Sequence, residues 1–165
     1  MYSIRLATAS GAFYPSESEE LNAMIMHFLS EAQARIPFNA AAPKAIIAPH
    51  AGYIYSGANA ALAYARLKPA AKIIDRVILL GPCHRVALKG VALSSADTFA
   101  TPLGEVPVDC KGALKIIDLP QVQLFDKSHA EEHSLEVQLP FLQVVLDQFK
   151  VWPILVGDCA PSQIA

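Results

Sequence analysis

The chain has 165 residues, of which 53% are hydrophobic and 17% charged, and its formal net charge is −2. A chain of this length is ordinarily one domain with a sizeable core, and the weak negative charge offers no source for the counterion release that drives nucleic-acid binding. The N-terminus has no apolar core after Arg5, so no signal peptide is indicated, and we predict no membrane association. Three scattered cysteines suit a reducing compartment, which favours a cytoplasmic protein.

The first predicted element is an amphipathic helix that ends before Pro37. Ser16 and Glu19 have the spacing of a capping box at its start. The residues that recur at helical spacing behind this box are all apolar: Leu21, Met24, Ile25, Phe28, Leu29 and Ala32. His27 falls outside this stripe, so we predict that its side chain faces solvent.

The next stretch, residues 45–57, reads AIIAPHAGYIYSG and concentrates candidate chemistry. Residues 45–48 read as a buried strand that Pro49 ends, which places His50 at the carboxyl end of that strand. An Ala-rich helix over residues 56–67 follows, with Ser56 as its N-cap. A second apolar strand, residues 76–80, then leads into Gly-Pro-Cys-His and places His84 at its end.

A strand, a helix and a second strand in this order predict a right-handed parallel βαβ unit. Both strands would then end at the same sheet edge, where open α/β folds bind ligands, and His50 and His84 would share one pocket. Strands about 4.8 Å apart bring two imidazoles within reach of one ion. The alternative is that each histidine merely caps its strand by bonding a loop carbonyl.

The remaining elements complete an α/β pattern with a mostly parallel sheet flanked by helices. The predicted strands are residues 90–94, 122–125 and 151–156, with a hairpin-type excursion over residues 101–108 that turns at Gly104. The predicted helices are residues 110–117 and a long helix over residues 135–149 that bends at Pro140. The last residues contain a helix cap at Ser162 without a following helix, so we expect a domain that is truncated at its C-terminus.

A second candidate site lies at the start of the long helix. His129, Glu132 and His133 match H-x-x-E-H, the motif of inverted zinc peptidases. The apolar stripe begins only at Leu135, however, so a helix that merely carries acidic residues at its N-terminus explains the same letters. A third interpretation places His133 and Glu136 in the pocket of the two strand-end histidines.

Three other side chains are candidates for lining that pocket. Tyr53 and Tyr55 could supply hydroxyl groups or simply pack, and the thiolate of Cys83 could join the site. No serine nucleophile elbow, P-loop or dinucleotide-binding glycine pattern is present in the sequence. Hydrolase, kinase and dehydrogenase functions are therefore not favoured.

Five ordered segments resemble one known family. They are SGAFYP from Ser10, APHAGYIYSG from Ala48, GPCHR from Gly81, EEHSLEVQLPFL from Glu131 and PILVGDC from Pro153. Together they resemble the Memo family, also called AmmeMemoRadiSam system protein B, from about residue 5 to the last residue. The resemblance implies a fold akin to class III extradiol dioxygenases, with His50 and His84 at the positions of metal-site histidines. It also implies a third ligand, a cysteine, in a C-terminal portion that this chain lacks.

The leading hypothesis is a metal-binding protein in which His50 and His84 hold iron or copper, with zinc as a further option. The function of this metal site would be redox chemistry on a small molecule. The alternative is a module that binds a small molecule or peptide in the same pocket without a reaction, and a zinc peptidase is a third hypothesis. The high apolar content also predicts self-association or a missing C-terminal partner segment.

Overall fold

The computed structural model describes residues 2–37 and 41–164, and these residues form both helices and strands. The helices are α1 (Ser18–Gln33), α2 (Tyr53–Tyr64), α3 (Cys110–Ala113), α4 (Asp126–Ala130) and α5 (Leu139–Val145). The strands are β1 (Ile4–Arg5), β2 (Arg76–Pro82), β3 (Val91–Leu93), β4 (Thr98–Thr101), β5 (Gly104–Pro107), β6 (Val122–Leu124) and β7 (Lys150–Val156). Short 3-10 helices lie at Ala65–Ala70, Leu114–Ile116, Glu136–Gln138 and Pro161–Gln163.

The strands form two mixed sheets. The larger sheet has the order β2-β7-β3-β6, in which β2 and β7 are parallel, β7 and β3 antiparallel, and β3 and β6 parallel. The smaller sheet has the order β1-β4-β5, with β1 parallel to β4 and β4 antiparallel to β5. The predicted α/β class is confirmed, whereas the single, mostly parallel sheet is replaced by two sheets that each contain an antiparallel pair.

The main core lies between helices α1, α2 and α5 and the two sheets. Buried side chains from the helices meet buried side chains from β4, β5 and β7: Leu21, Ile25, Ala60, Ala61, Phe141, Leu142, Phe99, Val106 and Val151. Gly57 lets α1 and α2 approach closely, because a Cβ atom there would lie 2.4 Å from the Phe28 ring. The burial of these apolar side chains is the main favourable term for folding.

The other face of the larger sheet is covered only in part. Ala113 of α3 packs against Val91, Leu93 and Ile154, which are buried on β3 and β7. Strand β2 lies at the sheet edge, and its Ile78 and Leu80 remain 54% and 51% exposed. The apolar surface of β2 is therefore open on the part of this face that α3 does not cover.

The predicted strand over residues 45–48 is wrong, because this segment has no strand partner in the described part of the chain. Its Ile47 side chain is 100% exposed. An extended segment becomes a strand only when a neighbour accepts and donates its backbone hydrogen bonds. The predicted βαβ unit is therefore wrong as well, and the parallel neighbour of β2 is β7.

Helix boundaries differ from the prediction at three places. Helix α1 begins at Ser18 with Glu17 as N-cap and no side-chain cap, so the Ser16 capping box does not form. Helix α2 begins at Tyr53, and the Ser56 hydroxyl donates back to the carbonyls of Ala51 and Gly52. The predicted long, bent helix is a 3-10 turn followed by the short α5. In α5, Pro140 lies in the first turn, where no backbone N–H is needed.

The other strand predictions are confirmed within two residues. The predicted hairpin-type excursion is the hairpin of β4 and β5, which begins at Thr98, three residues before its predicted start. Gly104 opens β5 with a φ of +117°, a left-handed backbone conformation that favours glycine. Among the described residues, no helix combines the length and the apolar character needed to cross a membrane.

Candidate metal centre

Three histidines from distant parts of the chain meet at one point. His50 lies in the segment before α2, His84 lies just after β2, and His133 lies between α4 and the following 3-10 helix. One ring nitrogen from each histidine lies within 4.8 Å of those of the other two. The ring centroids are 5.3 Å apart for His50 and His84, 5.9 Å for His50 and His133, and 4.8 Å for His84 and His133.

A single buried carboxylate contacts two of these histidines. The Glu132 side chain is only 1% exposed, and its Oε1 lies 2.9 Å from Nδ1 of His84 and 3.3 Å from Nδ1 of His133. Its Oε2 accepts the backbone N–H of His84 at 2.5 Å, and Oε1 also accepts the backbone N–H of Ser134 at 2.9 Å. The end of β2 and the loop after α4 are therefore joined through one side chain.

Hydrogen bonding keeps Glu132 ionised. Burial by itself raises the pKa of this carboxyl, but the bonds from the His84 ring, the His84 backbone and the Ser134 backbone outweigh burial and lower the pKa to about 2. An ionised carboxylate only accepts hydrogen bonds, so Nδ1 of His84 carries the hydrogen of this contact.

His133 is the more enclosed of the two histidines that Glu132 contacts. Its ring stacks on Phe13 with centroids 4.3 Å apart, and burial lowers its pKa. The buried Nδ1 lies within ion-pair distance of Glu132 but makes no hydrogen bond with it, because the contact is poorly directed. Neutral imidazole with an available nitrogen is the form that binds metals.

His50 is held in place through the backbone beside it. The side-chain amide of Gln138 donates to the carbonyl of Pro49 at 3.1 Å. The Tyr64 hydroxyl in turn donates to the amide oxygen of Gln138 at 2.5 Å, and burial raises the pKa of Tyr64, so this phenol remains protonated. The segment that carries His50 is thus tied to α2 and to the 3-10 helix, although it lies in no strand.

A buried ion pair anchors the loop that carries Glu132 and His133. Arg5 of β1 pairs with Glu136, and it donates to the backbone carbonyls of His129 at 3.0 Å and Glu132 at 2.6 Å. The Glu136 carboxylate also accepts hydrogen bonds from four groups of the N-terminal segment: the Thr8 and Ala9 backbone, the Thr8 hydroxyl and the Tyr14 hydroxyl. Glu136 is 0% exposed, and these partners turn it away from the three histidines.

The other residues expected in the pocket lie in different surroundings. Tyr53 is buried and its hydroxyl donates to the carbonyl of Val137, whereas Tyr55 is 82% exposed on the first turn of α2. The Cys83 thiol donates to the carbonyl of Val86 at 3.2 Å. The structure therefore brings His133 to His50 and His84, and it does not bring Tyr53 or Glu136 to them.

The H-x-x-E-H interpretation is wrong for this chain. Helix α4 ends at Ala130, so His129 and His133 do not lie on one helix. His129 is 2% exposed, its Nε2 contacts the carbonyl of Ala92, and it stands outside the histidine group. Glu132 contacts His84 through two bonds instead of facing a zinc-bound water.

Sequence reasoning missed the residues that position the histidines. The sequence places Glu132 in a peptidase motif or among the acidic residues at a helix N-terminus, and it indicates no role for Gln138, Phe13 or Arg5. Their partners are up to 131 residues away along the chain, as in the ion pair of Arg5 with Glu136. No local pattern reports such a contact.

Comparison with known proteins now decides the family. The sequence profile described as "Memo-like protein" matches residues 5–164. The chain belongs to the Memo family. It is 42% identical to a protein of Aquifex aeolicus named "MEMO1 family protein" over 93% of this chain. It is 38% identical to "Protein MEMO1" of Danio rerio and 35% identical to "Protein MEMO1" of Homo sapiens, each over 96% of this chain.

The chain spans about half the length of these Memo relatives: 55% of the Aquifex aeolicus protein and 53% of the other two. The three histidines and Glu132 all lie inside the matched region. The Memo assignment therefore covers every residue of the candidate centre.

Proposed function

We propose that this Memo-family chain binds one metal ion through His50, His84 and His133. The observation that carries the proposal is the meeting of three ring nitrogens from three separate segments within 4.8 Å of one another. Three imidazoles that share one space without a common ion repel through their positive forms, and burial already lowers the pKa of His133. A bound cation would accept the lone pairs of the three ring nitrogens.

The spacing fits an ion after small movements. A point equidistant from three atoms 4.8 Å apart lies 4.8 Å divided by the square root of three, or about 2.8 Å, from each. Metal–imidazole bonds are about 2.0–2.1 Å long, so each nitrogen would move inwards by roughly 0.7 Å. Side-chain rotation supplies such a shift, and His84 is the most exposed of the three.

The donor set favours iron, copper or zinc, because imidazole suits these ions and a set of three leaves coordination positions open. When bound, iron or copper would supply redox chemistry on a small molecule, and zinc would supply Lewis acidity. The chain's own residues would fix the position of the ion. We propose that the activity of this centre is redox chemistry with iron or copper. We also propose that the fold of this chain is related to that of class III extradiol dioxygenases.

Metal titration tests the binding proposal. Isothermal titration with Cu²⁺ and Zn²⁺, and anaerobically with Fe²⁺, would be run on the wild type, on single His→Ala variants at the three positions, and on His50→Ala/His84→Ala. Loss of a ligand is expected to weaken binding by roughly 100-fold or more, since even an outer-shell partner is worth 10–100-fold. His27→Ala is the matched control, because the His27 side chain is 67% exposed on α1. Unchanged affinity in the double variant would remove the proposal.

A second candidate function is binding without a reaction. Ile54 and Tyr55 are 75% and 82% exposed on the first turn of α2, only a few residues after His50. Exposed apolar and aromatic side chains beside a polar centre are typical of a surface that accepts a peptide or small molecule. Turnover of a catechol by the iron-loaded protein would count against this candidate.

We also propose a reducing, cytoplasmic location and self-association of the isolated chain. Cys83, Cys110 and Cys159 are free thiols in the structure, as a reducing compartment favours. The open face of β2, with its exposed Ile78 and Leu80, is a surface on which a further copy or a further polypeptide segment would be stabilised. That this chain is the N-terminal part of a longer domain stays a prediction.

A further inference from the structure

We infer that Glu132 is the positioning residue of the histidine centre: it fixes the tautomer and the orientation of His84. This inference deepens the proposed metal-binding function, and its metal-related part rests on that function. The statement about the His84 ring does not depend on metal binding, because it concerns the protein without any ion.

The contacts define one ring orientation. Oε2 of Glu132 accepts the backbone N–H of His84, and Oε1 accepts from Nδ1 of the same residue. A backbone bond and a ring bond to one carboxylate restrain both ends of the side chain. Because Nδ1 is the donor to Glu132, a neutral His84 ring keeps the lone pair on Nε2, the nitrogen farther from the backbone.

The same carboxylate lies beside the second histidine without a hydrogen bond to it. Oε1 lies 3.3 Å from Nδ1 of His133, and the His84 and His133 rings stack with an interplanar angle of 17°. Glu132 therefore fixes the His84 ring, and the His133 ring stacks against it. Metal-bound histidines commonly donate their other ring N–H to a carboxylate, which raises the basicity of the ligating nitrogen.

A carboxylate is required here and an amide does not replace it. Glu132 accepts three well-formed hydrogen bonds, from the His84 ring, the His84 backbone and the Ser134 backbone. In Glu132→Gln, one of the two oxygen positions becomes an NH₂ group that points its hydrogens at a donor. The variant thus loses at least one acceptor and the negative charge.

The backbone of the loop has a separate anchor, which distinguishes positioning from folding. Arg5 donates to the backbone carbonyls of His129 and Glu132, and neither bond involves the Glu132 carboxylate. Ser134 provides a matched control on the same loop: its hydroxyl donates to the carbonyl of Pro82 at 2.8 Å and makes no hydrogen bond to the three histidine rings. Ser134→Ala weakens the link between the loop and β2 but leaves the carboxylate in place.

The first measurement uses the metal-free protein. The ¹⁵N chemical shifts of the His84 ring, assigned with His84→Gln, report which nitrogen carries the hydrogen when the ring is neutral. We expect the Nδ1–H tautomer in the wild type and in Ser134→Ala, and the Nε2–H tautomer, which free imidazole side chains prefer, in Glu132→Gln. An Nε2–H tautomer in the wild type would overturn the inference without any variant being needed.

The second measurement is titration with Co²⁺, followed by its visible absorption. We expect Glu132→Gln to bind Co²⁺ 10–100-fold more weakly than the wild type and with an altered absorption band, and Ser134→Ala to change neither property. Equal weakening in both variants would assign Glu132 a merely structural role and overturn the inference. If the wild type binds no Co²⁺ but Glu132→Gln switches the tautomer, the proposed function fails while the positioning of His84 by Glu132 stands.

Discussion

Replacement of Arg5 by methionine should strongly destabilise the chain, because it leaves the Glu136 carboxylate buried without its cation. Arg5 is 7% exposed and Glu136 is 0% exposed. Arg5 also donates to the carbonyls of Leu6, His129 and Glu132, and methionine donates to none of them. Methionine retains most of the apolar stem, so the change isolates the loss of the guanidinium.

The magnitude follows from burial. Removal of one partner of a buried ion pair costs about 3–5 kcal/mol, because the remaining charge stays desolvated. With a urea m-value of about 2 kcal/mol per molar, this loss lowers the unfolding midpoint by about 2 M. The free energy of unfolding of a domain is about 5–15 kcal/mol in total, so Arg5→Met removes a large share of the stability.

Urea unfolding followed by circular dichroism measures this effect, and Arg76→Met provides the matched control. Arg76 pairs with Asp109 at 2.7 Å, but the Arg76 side chain is 53% exposed, so its loss should cost about 1 kcal/mol or less. The double variant Arg5→Met/Glu136→Gln should be less destabilised than the sum of its single variants, since no unpaired charge remains. A midpoint shift for Arg5→Met no larger than that for Arg76→Met would refute the reasoning.

Three further predictions concern other parts of the molecule. Burial lowers the pKa of His129 from 6.5 to about 4, so the unfolded state binds the extra proton first and stability falls by up to about 3 kcal/mol as pH drops from about 6.5 to 4. Thermal melts should show this slope in the wild type and in His27→Gln but not in His129→Gln. Light scattering and ANS fluorescence should show self-association of the wild type that Ile78→Lys reduces, and a monodisperse wild-type monomer without ANS binding would contradict this. Gly81→Ala should cost about 1–3 kcal/mol in urea unfolding, because its Cβ would lie 2.7 Å from the Leu135 side chain; an unchanged midpoint would show that this side chain yields freely.

The spacing of apolar residues along the sequence predicted the helices and strands that bury one face or both faces. Residues 151–156 of β7 are an unbroken apolar run in a strand that lies between β2 and β3, and Val151, Ile154 and Leu155 are buried by packing on the two faces of the sheet. Helix α1 shows its buried stripe at helical spacing, with Leu21 and Ile25 at 0% exposure. The five ordered segments also carried the family resemblance that the comparison confirmed, because motifs of this kind are properties of the sequence alone.

The spacing of apolar residues gave a wrong prediction where a strand needs a neighbouring strand to pair with. Residues 45–48 have the composition of a strand, yet no other strand pairs with them in the described part of the chain, and an apolar run does not supply its own hydrogen-bond partner. His50 nevertheless reaches His84, through the bond from Gln138 to the Pro49 carbonyl and not through a shared sheet edge. The predicted proximity had a different structural cause from the one that the sequence indicated.

The sequence by itself determined the family, the periodic helices and strands, and the two histidines that follow prolines or cysteines in recurring motifs. Only the tertiary structure decided which polar residues meet. Glu132 and Glu136 lie four residues apart in one acidic segment, yet one contacts His84 and the other pairs with Arg5, 131 residues away. Periodicity reports which side of an element is apolar, whereas the partner of a buried charge depends on which distant segment folds against it, because a buried charge must find its counter-charge or donors in space.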